Sequence, residues 1–283
     1  MENTNSLKIV NETGWRMGFA NLFQVTSGSF WCTKKWLIQT GIWFLCLNGM
    51  LASILWQIPA DKLSQAATSF GNVRTMEAVQ GNPIAFAVMM FMTVCSLALP
   101  IAAIVAGQEA IIGERQSGTA AWLLSKPVSR PAFILSKLAA SAVGMLVTAV
   151  VIQGAVAYSL LSLRIGALWP IAGFLGAMGM TFLNIFFYLT LTYMLGSIFT
   201  SRGPVLGISL TMALVGPSVL RSLPVLRDIT PWAFFLNVTD EVPLGLAIAL
   251  GQPLASITRI IGTALMCLVF TAVALLHFQR EDF

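Results

Sequence analysis

Charged residues are scarce in this sequence. Of its 283 residues, only 10% are Asp, Glu, Lys or Arg, whereas 57% are hydrophobic. A soluble domain carries about a quarter charged residues, so the composition excludes an ordinary soluble domain and predicts a polytopic membrane protein. Six charge-free runs can each hold the ~20 apolar residues that cross a bilayer. These runs are 36–60, 78–108, 138–163, 165–201, 203–220 and 260–279.

The absence of charged residues from these predicted spans restricts the function. Charges at membrane depth usually mark ion pathways or proton relays, so their absence argues against a proton-coupled transporter and an intramembrane hydrolase. It favours a cargo that is lipid-like, hydrophobic or a peptide. Nucleic-acid binding is not expected either, because the basic residues are scattered between the runs instead of clustering on one folded face.

Residues for catalysis, metal binding and nucleotide binding are also few. The single histidine, His277, lies near the end of the last run and is predicted to be an interfacial residue. The four cysteines have no metal-binding or disulfide spacing. No Gly-Lys pair occurs, so the phosphate-cradling loop of ATPases is missing. We therefore predict no catalytic, metal or cofactor residues, and we expect any ATP to bind to another chain.

One long polar stretch, from Gly107 to Lys137, separates two of the apolar runs. A turn between membrane helices needs only a few residues, so a stretch this long should have structure of its own. The letters GTAAWLLS predict a short helix that ends before Pro127. Ser129 then caps the next helix, with Pro131 tolerated in its first turn. We expect a charge-rimmed helix across the mouth of two spans, suited to docking a soluble partner.

This stretch resembles the signature of type-two ABC exporter permeases. The family pattern reads roughly E-x-x-x-G-T-x-x-x-L-L-S-x-P-V-S-R, followed by a lysine near the next span. The matching residues are Glu114, Gly118, Thr119, Leu123, Leu124, Ser125, Pro127, Val128, Ser129, Arg130 and Lys137. The resemblance implies that the stretch is a coupling helix seated in a cleft of an ATP-binding subunit. Without the motif, an ordinary positively charged cytoplasmic loop would be the expected structure.

The resemblance also assigns residues to ATPase coupling. Glu114 and Arg115 would bond to the partner, Gly118 would allow close approach, and Trp122 and Leu123 would pack the short helix. The full set is Glu109, Glu114, Arg115, Gly118, Thr119, Trp122, Leu123, Pro127 and Arg130.

The predicted fold is an all-α membrane protein with six transmembrane helices. Residues 1–35 form a cytoplasmic N-terminus, too polar for a signal peptide, and 36–283 form one transmembrane domain. A coupling loop occupies 109–131, and an outer region with re-entrant or interfacial helices occupies 221–258. The spans are approximately 36–57, 84–108, 132–162, 170–200, 203–220 and 259–278.

An amphipathic helix is predicted before the first span. Trp15, Phe19, Leu22 and Phe23 fall on one helical face, and the letters TSGS at 26–29 are expected to end the helix. Two positions remain open for it. It lies in the membrane interface, as the elbow helix of the family would, or it packs on the protein's own spans.

Two further segments are predicted from their length. The run 165–201 is too short for two crossings, so it is expected to form one long helix starting near Trp169-Pro170. The core LGLAIALG of the apolar patch 242–258 is too short to span and is expected to be re-entrant or interfacial.

The distribution of basic residues predicts that both termini are cytoplasmic. With that orientation, ten of the 16 Lys and Arg residues lie inside. The ten are Lys8, Arg16, Lys34, Lys35, Arg115, Lys126, Arg130, Lys137, Arg202 and Arg280.

The expected function is the permease subunit of an ATP-driven exporter in a bacterial inner membrane. By the resemblance, two ATP-binding subunits hold Mg-ATP, and a second copy or a homologous permease completes the complex. One alternative is a complex of the same type that serves enzyme maturation or mechanical transmission with little cargo transport. A second is a membrane scaffold or enzyme that works without ATP.

Overall fold

The computed structural model describes residues 14–59, 62, 73–79, 82–119, 128–219, 223, 225–237, 241–252 and 256–280. Within these ranges the secondary structure is helical and no strand occurs, which confirms the all-α prediction. The α-helices are α1 Phe19–Trp31, α2 Lys35–Gln57, α3 Val73–Val79, α4 Ile84–Gln116, α5 Arg130–Ile165, α6 Ile171–Ile198, α7 Arg202–Leu214, α8 Gly216–Val219, α9 Leu226–Ile229, α10 Leu244–Ala249 and α11 Thr258–Gln279. Three of them contain π-helical turns, at Phe44–Asn48 in α2, Glu109–Gly113 in α4 and Leu146–Val151 in α5.

Five described helices, α2, α4, α5, α6 and α11, are long and apolar enough to cross a membrane. The predicted single helix in 165–201 is confirmed as α6, which begins directly after Pro170. The predicted span 203–220 instead forms the 13-residue α7 and the four-residue α8. Because α7 is shorter than the ~20 residues that a crossing needs, six spans remain a prediction.

Helix α6 is the centre of the bundle. Of the 18-residue apolar segment of α6, 67% is buried inside the chain, against 22% for the corresponding segments of α2 and α11, which lie at the periphery. Buried residues occur on every face of α6, as expected of a helix that is enclosed by others. Phe187 of α6 packs edge-on against Phe270 of α11, with ring centroids 5.3 Å apart.

The connections define two ends of the bundle. At the end that we call the loop end, Ser129 N–H donates to the Met17 carbonyl at 3.0 Å and Arg130 donates to the Gln279 carbonyl at 2.8 Å. The start of α5 therefore meets the start of α1 and the end of α11. Helix α2, the first of the long helices, begins at this end, and α11, the last of them, ends here. Which side of the membrane this is stays a prediction.

At the opposite end of the bundle, polar side chains donate hydrogen bonds to backbone carbonyls of neighbouring helices. Arg164 Nε donates to the Leu55 carbonyl at 3.0 Å, which joins the end of α5 to the end of α2. Trp169 Nε1 donates to the Ala249 carbonyl at 3.2 Å, which fastens α10 beside the start of α6. Each bond satisfies a carbonyl near a helix end, where intrahelical partners are missing.

Helix α1 continues through the TSGS letters to Trp31, so the prediction that they end the helix was wrong. Ser29 Oγ donates to the Thr26 carbonyl at 2.8 Å, one turn earlier in the helix. Hydroxyl side chains can bond back to the helical backbone in this way, so a short Ser/Thr-rich segment need not interrupt a helix.

Of the two positions left open for α1, packing on the protein's own spans is present in the structure. Leu22 is buried, and a Cβ on Gly144 of α5 would lie 3.3 Å from the Phe30 ring. A Cβ on Gly18, whose φ is +82°, would lie 3.0 Å from the side chain of Val128, just before α5. A position in the membrane interface is compatible with these contacts and stays a prediction.

The predicted boundaries of the coupling loop, 109–131, were too wide. Helix α4 continues to Gln116, and α5 begins at Arg130, which leaves 117–129 between them. The letters AIIG between Glu109 and Glu114 explain why α4 continues past Glu109. Ile111 and Ile112 are fully buried, and this burial favours continuation of the helix.

The outer region contains the short helix that the sequence predicts. The six residues of α10 pack against α6, where a Cβ on Gly173 would lie only 2.3 Å from the Ile248 carbonyl oxygen. Residues 231–235 are also buried, and Trp232 Nε1 donates to the Tyr188 hydroxyl at 2.8 Å. This region therefore packs into the bundle, and its depth in a membrane stays a prediction.

Candidate coupling site at the loop end

Two residues of the predicted signature, Glu114 and Lys137, form an ion pair across the loop end. The Lys137 side chain is only 4% exposed, whereas that of Glu114 is 29% exposed. The Lys137 ammonium also lies 5.1 Å from the centre of the Phe133 ring, a distance at which a cation is attracted to the ring. The pair joins the end of α4 to the second turn of α5, on either side of the loop.

Buried charge therefore occurs at the ends of predicted spans, which corrects the expectation that the spans are free of charge. Lys137 lies inside the predicted span 132–162, and Arg259 begins the predicted span 259–278. Arg259 is 2% exposed and donates to Glu241 at 2.5 Å. Both buried cations are paired with partly exposed carboxylates, as the cost of desolvating an isolated charge requires.

A π-helical turn immediately precedes Glu114. Such a turn adds one residue to the repeat and rotates the residues after it by about 100° relative to those before it. Glu109, at the start of the turn, is exposed, whereas Glu114, directly after it, faces Lys137. The two carboxylates that the sequence interpretation had treated alike thus differ in exposure and in their partners within this chain.

Arg115 binds the end of α6. Its Nη1 donates to the carbonyl oxygens of Gly196 at 2.7 Å, Ser197 at 3.2 Å and Phe199 at 3.4 Å. The last carbonyls of a helix have no intrahelical partner and carry partial negative charge, so a guanidinium satisfies them and interacts favourably with the helix dipole. Arg115 therefore connects α4 to α6 at the loop end.

The remaining predicted residues are spread along the loop. Gly118 is exposed, has a φ of +73° and would place a Cβ in open space. Thr119 Oγ1 lies 2.8 Å from Ser117 Oγ. Arg130 reaches the end of α11 through the Gln279 carbonyl. Three others, Trp122, Leu123 and Pro127, lie outside the described residues.

The structure thus brings Glu114 and Arg115 together with partners inside this chain. Their predicted bonds to a second subunit stay a prediction, because contacts within one chain do not test them. Sequence reasoning missed the carbonyl groups at the end of α6, since a backbone acceptor has no side-chain signature. It included Lys137 in the motif but did not predict that Glu114 is its partner.

Long apolar helices with ion-paired charges at their ends define a multi-pass α-helical membrane protein. The chain belongs to the ABC-2 transporter family, since the family model described as ABC-2 family transporter protein (ABC2_membrane_2) matches residues 31–283. This confirms the resemblance to type-two ABC permeases. A comparison with curated proteins gives no match. Membership in the family makes the chain a membrane transport subunit that pairs with an ABC ATP-binding subunit.

Proposed function

We propose that the chain is the permease subunit of an ATP-driven exporter in a bacterial inner membrane, with both termini in the cytoplasm. Two ATP-binding subunits hold Mg-ATP, and a second copy of the chain or a homologous permease completes the complex. The cargo is lipid-like, hydrophobic or a peptide, because the charges buried at the ends of the spans are already held in ion pairs.

The observation that supports this proposal is the way the loop between α4 and α5 is anchored. Glu114 and Lys137 join the two helices that flank it, and Arg115 joins α4 to α6. Displacement of the loop by a closing ATP-binding subunit would therefore reach three long helices, including the central one. An ordinary surface loop has no such connection.

Gly118 offers a direct test of docking. Its left-handed backbone conformation costs a substituted residue about 1–2 kcal/mol, least for Asn, and no described atom lies within 4 Å of its Cβ position. We expect Gly118→Trp to abolish binding of the co-expressed ATP-binding subunit, because the indole obstructs close approach. Gly118→Asn should retain binding. Pull-down of the purified complex and its ATP hydrolysis rate are the measurements.

Two outcomes separate this proposal from its alternatives. Lys62→Glu, a change of an exposed residue far from the loop in sequence, is the control and should leave assembly intact. If Gly118→Trp assembles and hydrolyses ATP at the wild-type rate, the loop is not the docking surface. If the complex hydrolyses ATP but moves no lipid, drug or peptide into vesicles, mechanical transmission becomes the better assignment.

A further inference from the structure

A cavity of about 590 Å³ opens at the loop end, between α1, α2, α4 and α5. Pockets that bind small molecules usually measure about 300–1,000 Å³, so this volume suits a ligand or part of one. The Glu114–Lys137 pair forms part of its wall. Nothing in the proposed coupling mechanism requires a cavity at this place.

The mouth of the cavity carries a surplus of positive charge. Lys35 and Arg202 line it, both are exposed, and neither has a hydrogen-bond or ion-pair partner among the described residues. Glu109 is the only unpaired carboxylate in the lining, since Glu114 and Lys137 neutralise each other. Two free cations against one free carboxylate leave a net charge of +1. Lys35 and Arg202 are also the first residues of α2 and α7, where helix dipoles favour an anion.

The rest of the lining carries no charge and is partly apolar. Phe30, Ala140, Gly144 and Met145 are its apolar members near α5, and Thr26, Ser29, Gln39 and Ser141 are polar without charge. Met145 follows Lys137 by eight residues on α5, which places it about 12 Å further along the helix axis. A cavity whose lining changes from charged to uncharged and partly apolar over this distance matches an amphiphilic ligand better than a uniformly charged one.

The opening lies beside an exposed apolar surface. After Lys35, the large side chains of α2 are more than half exposed at Leu37 (54%), Ile38 (62%) and Ile42 (52%). An exposed apolar face on a helix long enough to cross a membrane is suited to contact with acyl chains. An amphiphilic ligand could therefore place its chains along α2 while its polar group enters the cavity. A soluble ligand has no chains to place there.

We propose that this cavity binds the phosphate headgroup of a glycerophospholipid. The phosphate accepts charge-assisted hydrogen bonds from Lys35 and Arg202, which are the stronger class of hydrogen bond. The glycerol portion lies between Phe30 and Met145, and the chains follow α2. The inference concerns equilibrium binding to this chain alone, so it stands or falls independently of the proposed export function.

The test is lipid binding to the purified, delipidated full-length chain, measured by native mass spectrometry and by titration. Three probes separate the parts of the ligand: dioctanoyl-phosphatidylglycerol, glycerol 3-phosphate without chains, and dioctanoylglycerol without phosphate. We expect only the first to bind tightly. Equal binding of glycerol 3-phosphate would identify a site for soluble phosphate esters, and equal binding of dioctanoylglycerol would show that phosphate is not recognised. Either result overturns the proposal.

Variants that remove a positive or a negative charge from the lining are expected to change the affinity for the lipid in opposite directions. The double variant Lys35→Ala/Arg202→Ala should weaken binding of dioctanoyl-phosphatidylglycerol about tenfold or more, because two contacts to phosphate are lost. Glu109→Gln should strengthen it, and misfolding does not produce a gain of affinity. Lys34→Ala is the matched control, since Lys34 is exposed, adjacent in sequence and absent from the lining. Unchanged binding in both the double variant and Glu109→Gln would exclude a headgroup site here.

Discussion

The ion pair between Glu114 and Lys137 gives the sharpest prediction about stability. Glu114→Gln would leave Lys137, with 4% of its side chain exposed, without a carboxylate. Removing one partner of a buried pair costs about 3–5 kcal/mol, because the other charge remains buried and unpaired. Glu114 is 29% exposed and the cavity lies beside the pair, so solvent screens part of the interaction. We therefore expect a loss of about 2–3 kcal/mol in the free energy of unfolding.

A double-mutant cycle isolates the interaction. Lys137→Met alone leaves Glu114 partly buried without its cation and should also destabilise the protein, though less, because Glu114 is closer to solvent. The double variant Glu114→Gln/Lys137→Met removes both charges and their desolvation cost, so it should lose less stability than the sum of the single changes. We expect a coupling energy of about 2 kcal/mol.

The assay is denaturant-induced unfolding of the purified chain in detergent micelles, followed by tryptophan fluorescence. Glu109→Gln is the matched control, because Glu109 is an exposed carboxylate on the same helix, and it should stay within about 0.5 kcal/mol of wild type. Additive losses in the cycle would refute the pairing. The pair also makes Glu114→Lys a poor test of coupling, since it would bring two ammonium groups together and disturb the fold itself.

Three further predictions follow from single contacts. Asn48 Nδ2 donates to Gln153 Oε1 at 2.7 Å between α2 and α5, so Asn48→Ala should cost about 1 kcal/mol of unfolding free energy in micelles. The hydrogen bond from Arg259 lowers the pKa of Glu241, so the stability it contributes is present above the ordinary carboxyl pKa and is lost as the pH falls through the lowered one. Thermal unfolding temperatures measured from about pH 6 to about pH 3 should decline less in Glu241→Gln than in wild type. Ser129 Oγ accepts the Ala132 N–H at 3.2 Å as the N-cap of α5, so Ser129→Ala should cost about 1 kcal/mol and speed hydrogen exchange in the first turn.

The features that the sequence predicts correctly depend on local chemistry. Ser129 was expected to cap the next helix with Pro131 in its first turn, and α5 begins in this way. Pro170 was expected near the start of a long helix, and α6 starts at the following residue. Capping hydroxyls and prolines act on backbone atoms within a few residues, so their effect can be predicted without knowledge of the tertiary structure.

The features that sequence analysis did not predict depend on tertiary contacts between distant parts of the chain. The resemblance assigned Glu114 a bond to a partner subunit, which stays a prediction, and it did not indicate that Lys137, 23 residues further on, is the partner of Glu114 within this chain. Arg115 binds carbonyl oxygens that are more than 80 residues away in sequence. The cavity between α1, α2, α4 and α5 is formed by four elements whose packing no periodicity specifies. Each of these depends on which helices become neighbours, and composition does not determine that.

The contacts at the loop end also restrict how motion could pass into the membrane. Because Glu114 holds α4 to α5 and Arg115 holds α4 to α6, the loop ends of these three helices form one connected unit. Under the proposed coupling, a push on the loop moves them together, so relative movement must occur elsewhere. Helix α2 is joined to α5 through the amides of Asn48 and Gln153. Asn48 is the last residue of the π-helical turn in α2, and Gln153 follows the π-helical turn of α5 by two residues. A π turn departs from the regular α-helical hydrogen-bond ladder and a proline removes one of its bonds, so bending costs less at the three π turns and at Pro100 of α4 than in regular helix. Pro100 and the turns near Asn48 and Gln153 lie away from the loop, so the helices have bending points there while the signature residues hold their loop ends together.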